Sequence, residues 1–225
     1  MNSFFQRLEA LLGIENLEKL KNSSVAVVGL GGVGGMATIS LARSGIGTII
    51  IQDFDVVCES NFNRQIIANV DTIGKKKVDV MEEMILKINP NCNVIKLDEK
   101  FNSSSRLFEY KFDYLIDAID SVDDKILLIE SCLNKKIDFI SSMGTAKKVD
   151  IKKLSITKIN QTAYDPLAKV VRRKLRDKNI SDNFMVLSSN EEPKKTTILG
   201  SYMPVTASAG LMISDYIIKM IIEKN

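Results

Sequence analysis

A short segment rich in amide and guanidinium side chains is the most distinctive chemical feature of the sequence. Residues 61–65 contain Asn61, Asn63, Arg64 and Gln65. A guanidinium group binds phosphate oxygens in pairs, and side-chain amides add neutral hydrogen-bond donors. The segment therefore indicates a binding site for a triphosphate, with a solvated loop as the alternative.

A glycine-rich loop precedes that segment. It follows an apolar strand predicted at 24–29, and its glycines permit a tight turn and let backbone N–H groups approach phosphate. A second predicted strand ends at Asp53, which is placed to accept hydrogen bonds from ribose hydroxyls, and Asp55 follows. This pattern predicts a nucleotide site, and NAD-dependent oxidoreductases share it. The four glycines are Gly29, Gly31, Gly32 and Gly34.

Two further charged features extend the predicted site. Lysines 75–77 follow Gly74 where a helix is expected to begin, so one of them can reach back to phosphate. Asp120 is expected at the exit of the fourth strand, at the ligand-binding edge of the sheet, whereas Asp117 would lie deeper. A carboxylate opposite a triphosphate is a natural Mg²⁺ ligand. An NAD-dependent oxidoreductase would leave Arg64 and Asp120 without a role.

The composition narrows the chemistry. The 225 residues include no histidine, which excludes Ser-His-Asp hydrolysis, Cys-His proteolysis and His-dependent zinc chemistry. Cys58, Cys92 and Cys132 lie far apart, so neither a disulfide framework nor a zinc-binding cysteine pair is predicted. The net charge of +3 is too small to indicate a nucleic-acid partner by itself. Any mechanism must use carboxylates, Lys, Arg, backbone amides or a bound ion.

Apolar strand-like runs alternate with amphipathic helical stretches, which is typical of an α/β fold. We predict a single domain with a Rossmann-like, doubly wound, mostly parallel sheet, its core at 24–145 and a short C-terminal lobe at 146–225. No run reaches the roughly 18 apolar residues of a membrane span, and the N-terminus lacks a signal-peptide core, so a cytoplasmic location is expected. The predicted strands are 24–29, 48–53, 93–98, 113–119 and 138–143, and the predicted helices are 33–44, 72–88, 123–135, 165–178 and 206–222.

Four motifs together resemble the adenylating core of the ubiquitin-activating superfamily, over roughly residues 24–145. They are GLGGVG, DFD with SNFNRQ, the segment from Gly74 to Lys77, and DAIDS. Within that superfamily the chain is most similar to the tRNA threonylcarbamoyladenosine dehydratases, through FNRQI, KINPNCNV, DAIDSVDDK, SSMGTA and DPLAKVVRRKLR. This second resemblance covers nearly the whole chain.

The resemblance implies ATP and Mg²⁺ as cofactors and an ATP-dependent, cyclising dehydration of threonylcarbamoyladenosine in tRNA through an acyl-adenylate. Arg7 matches an arginine that relatives lend from a partner subunit, which implies a homodimer with Arg7 completing the neighbouring catalytic site. The resemblance also selects Lys77 among the three lysines. It assigns the phosphates to Gly31 and Gly32, the ribose to Asp53, the triphosphate to Asn61, Arg64, Gln65 and Lys77, and Mg²⁺ to Asp120.

For tRNA, the predicted helix at 165–178 is the best local basic patch, because phosphate contacts come mainly from clustered Lys and Arg. Lys194 and Lys195 extend it, and a solvated helix face is the alternative. A sulfur-transfer protein is a further candidate partner. The candidate tRNA-binding residues are Lys169, Arg172, Arg173, Lys174 and Arg176.

The sequence also departs from the superfamily pattern. Gly35 stands where many relatives have Ser, the zinc-binding cysteine pairs are missing and the C-terminal third is short; the last two features argue against the sulfur-carrier branches. Three other functions remain open at this point. They are an adenylyltransferase that activates the C-terminal glycine of a small ubiquitin-like sulfur carrier, an NAD-dependent oxidoreductase, and a non-catalytic nucleotide-binding scaffold that presents the basic helix.

Overall fold

The computed structural model describes residues 3–224, and in this part of the chain helices alternate with the strands of one seven-stranded sheet. The strands are β1 Ser24–Val28, β2 Thr48–Gln52, β3 Asn93–Leu97, β4 Tyr114–Asp117, β5 Asp138–Ser142, β6 Leu154–Lys158 and β7 Met185–Ser189. The α-helices are α1 Gln6–Leu12, α2 Ile14–Lys21, α3 Gly32–Arg43, α4 Lys77–Ile88, α5 Val122–Lys135, α6 Pro166–Asp177 and α7 Met203–Glu223.

The strand order is β3-β2-β1-β4-β5-β7-β6, and among these strands of residues 3–224 only the edge strand β6 pairs antiparallel to its neighbour. The chain winds outward from β1 to β3 and then restarts at β4 on the other side of β1. In open α/β sheets a crevice forms beyond the carboxyl ends of the strands at such a reversal, and ligands bind there. The prediction of a doubly wound, mostly parallel sheet is confirmed.

The apolar core fills both faces of the sheet, as the alternation of side chains along a strand requires. In β1, Val25 and Val27 join one buried cluster with α3, α4 and α7, whereas Ala26 and Val28 join the other with α5 and α6. Strands buried on both faces consist of nearly continuous apolar residues. This core holds the ends of β1, β2 and β4 in fixed positions.

The helix α7 has the length and apolar composition of a membrane span. It packs closely against α3, however: a Cβ atom on Gly210 would lie 2.4 Å from the backbone oxygen of Val33. Its residues Val205, Ala209 and Ile213 are fully buried in the core. These contacts are those of a core helix.

Two parts of the chain differ from the sequence-based prediction. The helix expected at 72–88 begins at Lys77, because Gly74 has a φ of 81° and Lys76 forms a bridge with Val56. The last third adds β6 and β7 to the sheet, so the predicted C-terminal lobe is continuous with the core sheet.

Candidate functional site

A cleft of about 1050 Å³ lies at the carboxyl ends of the strands, over the reversal between β1 and β4. It is bordered by the exits of β1, β2, β4 and β5 and by the segment 60–65. Ten of the residues predicted from sequence line it: Gly29, Gly31, Gly32, Asp53, Asp55, Asn61, Arg64, Gln65, Lys77 and Asp120. Gly34, Asn63 and Arg7 do not line it.

The glycine loop allows very close backbone packing. Gly29 has a φ of 93°, a conformation that favours glycine. A Cβ atom on Gly34 would lie 1.9 Å from the backbone oxygen of Gly29, so this residue lets α3 approach the loop. A Cβ atom on Gly31, by contrast, would meet no neighbouring group of the described chain within 4 Å, which leaves room for a ligand at the start of α3. Phosphate binds well at such a helix N-terminus.

Asp53 holds the glycine loop in place. One carboxylate oxygen accepts a hydrogen bond from the N–H of Leu30 at 2.6 Å, and the other accepts from the N–H of Asp55 at 2.9 Å. Burial raises the pKa of Asp53, while the positive charge of Lys77 acts in the opposite direction. Each carboxylate oxygen can accept more than one hydrogen bond, so the predicted ribose contact is compatible with this loop-holding role.

Lys77 is the lysine of the three that points into the site. It is buried at the first turn of α4, and its Nζ lies 2.6 Å from Oδ2 of Asp55 and 3.9 Å from Oδ1 of Asp53. Lys75 and Lys76 are exposed, and Lys76 forms an ion pair with Asp98. A buried ammonium group is therefore fixed on the cleft wall.

Two neighbouring residues, Ser60 and Asn63, accept hydrogen bonds from one nitrogen of the Arg64 guanidinium group. Nη1 donates to the backbone oxygen of Ser60 at 2.7 Å and to Oδ1 of Asn63 at 3.0 Å. Asn63 in turn donates to the backbone and side-chain oxygens of Ser201, at 2.9 and 3.0 Å. Asn63 thus orients Arg64, and the remaining guanidinium N–H groups have no partner among residues 3–224, so they can donate to a ligand such as phosphate.

Asn61 and Gln65 lie beside Arg64 in the cleft wall. Both are buried, and Asn61 accepts a hydrogen bond from the N–H of Cys58 at 3.1 Å. The side-chain oxygen of Gln65 is buried without a hydrogen-bond partner among residues 3–224. This oxygen can accept a hydrogen bond from a ligand that carries a donor group.

The exit of β4 carries two aspartates with different surroundings. Asp117 is fully buried and accepts from Lys125 at 2.8 Å, from Ser141 at 2.5 Å and from the N–H of Ile119 at 3.0 Å. Asp120 is exposed in the cleft, and no hydrogen bond or ion pair within the described chain engages its carboxylate. Asp117 therefore shapes the turn that presents Asp120.

The described residues contain no cluster of three or more acidic, Cys or His side chains that would hold a metal ion alone. Mg²⁺ is usually bound by one or two carboxylates together with water and substrate phosphates. A free carboxylate at Asp120, facing a predicted phosphate site, fits that donor set.

Two of the basic side chains on helix α6 are engaged by other parts of the protein. Arg172 donates to the backbone oxygens of Ile159 at 3.2 Å and Thr162 at 2.9 Å, and Lys174 pairs with Asp123. Arg172 and Lys174 therefore have structural partners. The exposed basic residues that remain on this helix are Lys169, Arg173 and Arg176.

Two of the three cysteines are unsuited to covalent catalysis. Cys92 and Cys132 are buried, and burial raises the pKa of Cys92 to about 11 and that of Cys132 further. A thiol with a raised pKa is a poor nucleophile at neutral pH. Cys58 is exposed, but it does not line the cleft.

Comparison with known proteins identifies a family. The ThiF family model matches residues 5–225. The chain is 47% identical over 191 residues to the tRNA threonylcarbamoyladenosine dehydratase of Bacillus subtilis, which covers 84% of this chain and 75% of that protein. It is 40% identical over 169 residues to the dehydratase of Escherichia coli, covering 74% of this chain and 63% of that protein.

A solved structure of one of these dehydratases and a more distant relative also match the chain. The crystal structure of the E. coli tRNA N6-threonylcarbamoyladenosine dehydratase in complex with ATP matches with a TM-score of 0.92 and 32% identity, over 98% of this chain and 96% of that chain. The adenylyltransferase and sulfurtransferase of Saccharomyces cerevisiae is 36% identical over 133 residues, which cover 59% of this chain but 30% of that protein.

Proposed function

We propose, from the premise that the chain belongs to the ThiF family, that it is an ATP-dependent tRNA threonylcarbamoyladenosine dehydratase. The observation that carries this proposal is the cleft, where the exits of β1, β2 and β4 bring the glycine loop, Arg64, Lys77 and Asp120 together. The dehydratases of B. subtilis and E. coli align with most of the chain. The alternative of a sulfur-carrier adenylyltransferase is disfavoured, because its yeast representative matches 59% of the chain.

In the proposed reaction the carboxylate of the threonylcarbamoyl group attacks the α-phosphorus of ATP, and pyrophosphate leaves. An atom of the same carbamoyl group then closes on the activated carbonyl carbon and expels AMP. The nucleoside loses one water overall, and ATP is converted to AMP and pyrophosphate. Ring closure within one molecule has a high effective molarity, so a site without histidine can carry it out by positioning the substrate and excluding water.

Each side chain has a defined task in this proposal. Arg64 and Lys77 stabilise the negative charge that develops on the departing pyrophosphate. Lys77 does so by exchanging its contact with Asp55 for a phosphate oxygen, since both partners lie on the cleft wall. Asp120 would hold Mg²⁺, which neutralises phosphate charge when bound.

The decisive experiment uses the purified protein, ATP and tRNA that either carries or lacks threonylcarbamoyladenosine. We expect AMP and pyrophosphate release only with the modified tRNA, and mass analysis of the nucleoside should show the loss of one water. Modified tRNA that stimulates no release would contradict the proposal. Release that depends instead on a small sulfur-carrier protein would establish the adenylyltransferase alternative.

Arg7 supports a homodimer in this proposal. It is exposed on α1 and does not line the cleft of its own chain, so it can serve the site of a neighbouring subunit. Arg7→Ala and Arg64→Ala proteins should each be inactive, yet a re-equilibrated mixture should recover up to roughly a quarter of wild-type activity, since half of the dimers are mixed and each has one intact site. An active Arg7→Ala protein, or a mixture without recovery, would contradict a shared site.

The exposed basic residues of α6 are the proposed tRNA contacts. Reversing the charge of Arg173 and Arg176 together should weaken tRNA binding and reduce the slope of log affinity against log salt by roughly 1 to 2, because each phosphate contact releases counterions. The matched control reverses Arg43 and Lys87, which are exposed on α3 and α4. Equal losses in the two double variants, measured by salt-dependent binding titrations, would remove α6 from the interface.

A tRNA substrate agrees with the predicted cytoplasmic location. That location and a sulfur-transfer partner both stay predictions. Cell fractionation and co-purification from cells that express the chain at its natural level would test them separately.

A further inference from the structure

A second buried lysine, Lys148, also lines the cleft. It follows the exit of β5, and only 1% of its surface is exposed. Its Nζ donates to the backbone oxygens of Tyr164 at 2.9 Å and Glu191, with the backbone oxygen of Ser189 at 3.4 Å. Three backbone carbonyls therefore surround this ammonium group.

Lys148 has no close counter-ion in the described part of the chain. Among residues 3–224, no carboxylate lies within 4 Å of its Nζ, whereas the equally buried Lys125 pairs with Asp117 at 2.8 Å. Burial lowers the pKa of Lys148, and the more distant charges of Asp165 and Glu191 act in the opposite direction. Burying a charge without a direct partner is costly, so the arrangement calls for a function.

The carbonyl groups around Lys148 belong to two other segments of the chain. Tyr164 lies just before α6 and has a φ of 52°, which is unusual for a residue with a large side chain. The next residue, Asp165, caps α6 by accepting from Ala168, and it also accepts from the N–H of Gly144 at 3.0 Å. Lys148 and Asp165 together fasten the β5 exit to the start of α6.

The exit of β7 is fastened in the same way. The carboxylate of Glu191 accepts hydrogen bonds from the N–H groups of Val149 at 2.8 Å and Asp150 at 2.9 Å, while its backbone oxygen accepts from Lys148. The ammonium group of Lys148 thus links three segments, the β5 exit, the start of α6 and the β7 exit. Together these segments form one wall of the cleft.

The strand order places this wall at the half of the sheet that contains β5 and β7. The predicted nucleotide residues follow β1, β2 and β4, whereas β5 and β7 occupy the other half of the sheet. The proposed reaction places the attacking carboxylate in that other half, away from the predicted triphosphate residues. The exposed basic residues of α6 lie on the same element that Lys148 helps to fix.

We propose that Lys148 is a positioning residue for the tRNA substrate, whose ammonium group holds together the wall against which the reacting carboxylate is placed. This inference rests on the proposed dehydratase function. Because Lys148 acts through backbone carbonyls, its loss should disturb the placement of the acceptor and leave the nucleotide half of the cleft unchanged.

The test compares Lys148→Met, whose unbranched side chain is one atom shorter and carries no charge, with Lys152→Met at an exposed position nearby. In Lys148→Met we expect kcat/KM for modified tRNA to fall about 100-fold, the size expected for a misplaced reacting group, while the Kd for ATP changes less than about threefold. Lys152→Met should behave as the wild type. A Lys148→Met protein with wild-type kcat/KM, or with an equal loss of ATP affinity, would overturn the inference.

A pH profile gives a readout that a general packing defect would not produce. In the wild type, kcat/KM for tRNA should fall at alkaline pH as Lys148 loses its proton, and this fall should be missing in Lys148→Arg, which stays charged. The charged groups that act on Lys148 from the elements packed against it are Asp165 and Glu191, and the arginine variant leaves both in place. An identical alkaline fall in both proteins would overturn the inference.

The two proposals fail in different ways. A wild-type protein that binds ATP but leaves modified tRNA unchanged would overturn the dehydratase function and this inference with it. A wild type that acts on tRNA, combined with a fully active Lys148→Met variant, would overturn the inference alone.

Discussion

Arg64→Ala should release pyrophosphate from ATP about 100- to 1,000-fold more slowly than the wild type, in the presence of modified tRNA. The side chain is already oriented by Ser60 and Asn63, so its remaining N–H groups meet the phosphate charge without reorganising. Such preorganised donors contribute most where charge develops in the transition state. A single-turnover assay of pyrophosphate release measures this effect directly.

The matched control for this prediction is Arg43→Ala. Arg43 is also an arginine, but it is exposed at the end of α3, at the opposite edge of the sheet from the cleft. Both variants should keep the wild-type thermal unfolding midpoint within a few degrees, since neither side chain belongs to the apolar core. Wild-type release by Arg64→Ala would overturn the assignment of the phosphate site.

Asp120 offers a separate test of the metal proposal. Asp120→Asn should need a higher Mg²⁺ concentration for half-maximal pyrophosphate release, because a neutral amide is a weaker ligand than a carboxylate. Asp123→Asn removes an exposed carboxylate three residues away, outside the cleft lining, and should leave the Mg²⁺ dependence unchanged. Equal Mg²⁺ dependence in all three proteins would remove Asp120 from the metal site.

The sequence contained most of the information needed to predict which residues line the candidate site, because its signals are local. Glycines at the turn after a strand, Asp53 at the end of the next strand and Arg64 within an amide-rich segment can each be recognised without knowing the fold. The doubly wound topology then brings these segments to one edge of the sheet. Their convergence in one cleft follows from strand order, which alternating apolar runs predict.

The features that the sequence did not predict depend on contacts between distant segments. β7 was missed because Ser188 and Ser189 end its apolar run after three residues of the strand, although both are buried and Ser188 donates to Asp165 at 2.9 Å. Nothing local marks Lys148 as buried, since its partners lie 16 to 43 residues away. The loop-holding role of Asp53 was also missed, because both of its donors are backbone N–H groups.

Lys125→Met should destabilise the folded protein by about 3–5 kcal/mol, the range for removing one partner of a buried ion pair. Lys125 and Asp117 are both fully buried, and the variant would leave the Asp117 carboxylate with Ser141 and a backbone N–H as its donors. Equilibrium unfolding in urea measures the change as a lower midpoint with an unchanged slope. Because Asp117 also shapes the turn before Asp120, the folded fraction should lose activity as well.

A second substitution separates the uncompensated charge from the lost packing. The double variant Lys125→Met, Asp117→Asn carries no charge at either of these two buried positions, so it should be more stable than Lys125→Met alone, although the ion pair is missing from both. Lys219→Met breaks an exposed pair with Asp215 and should leave the urea midpoint nearly unchanged. Equal urea midpoints for Lys125→Met and Lys219→Met would mean that the Asp117 carboxylate accepts from another donor when Lys125 is absent. The Lys125–Asp117 ion pair would then not be the contact that fixes the turn before Asp120.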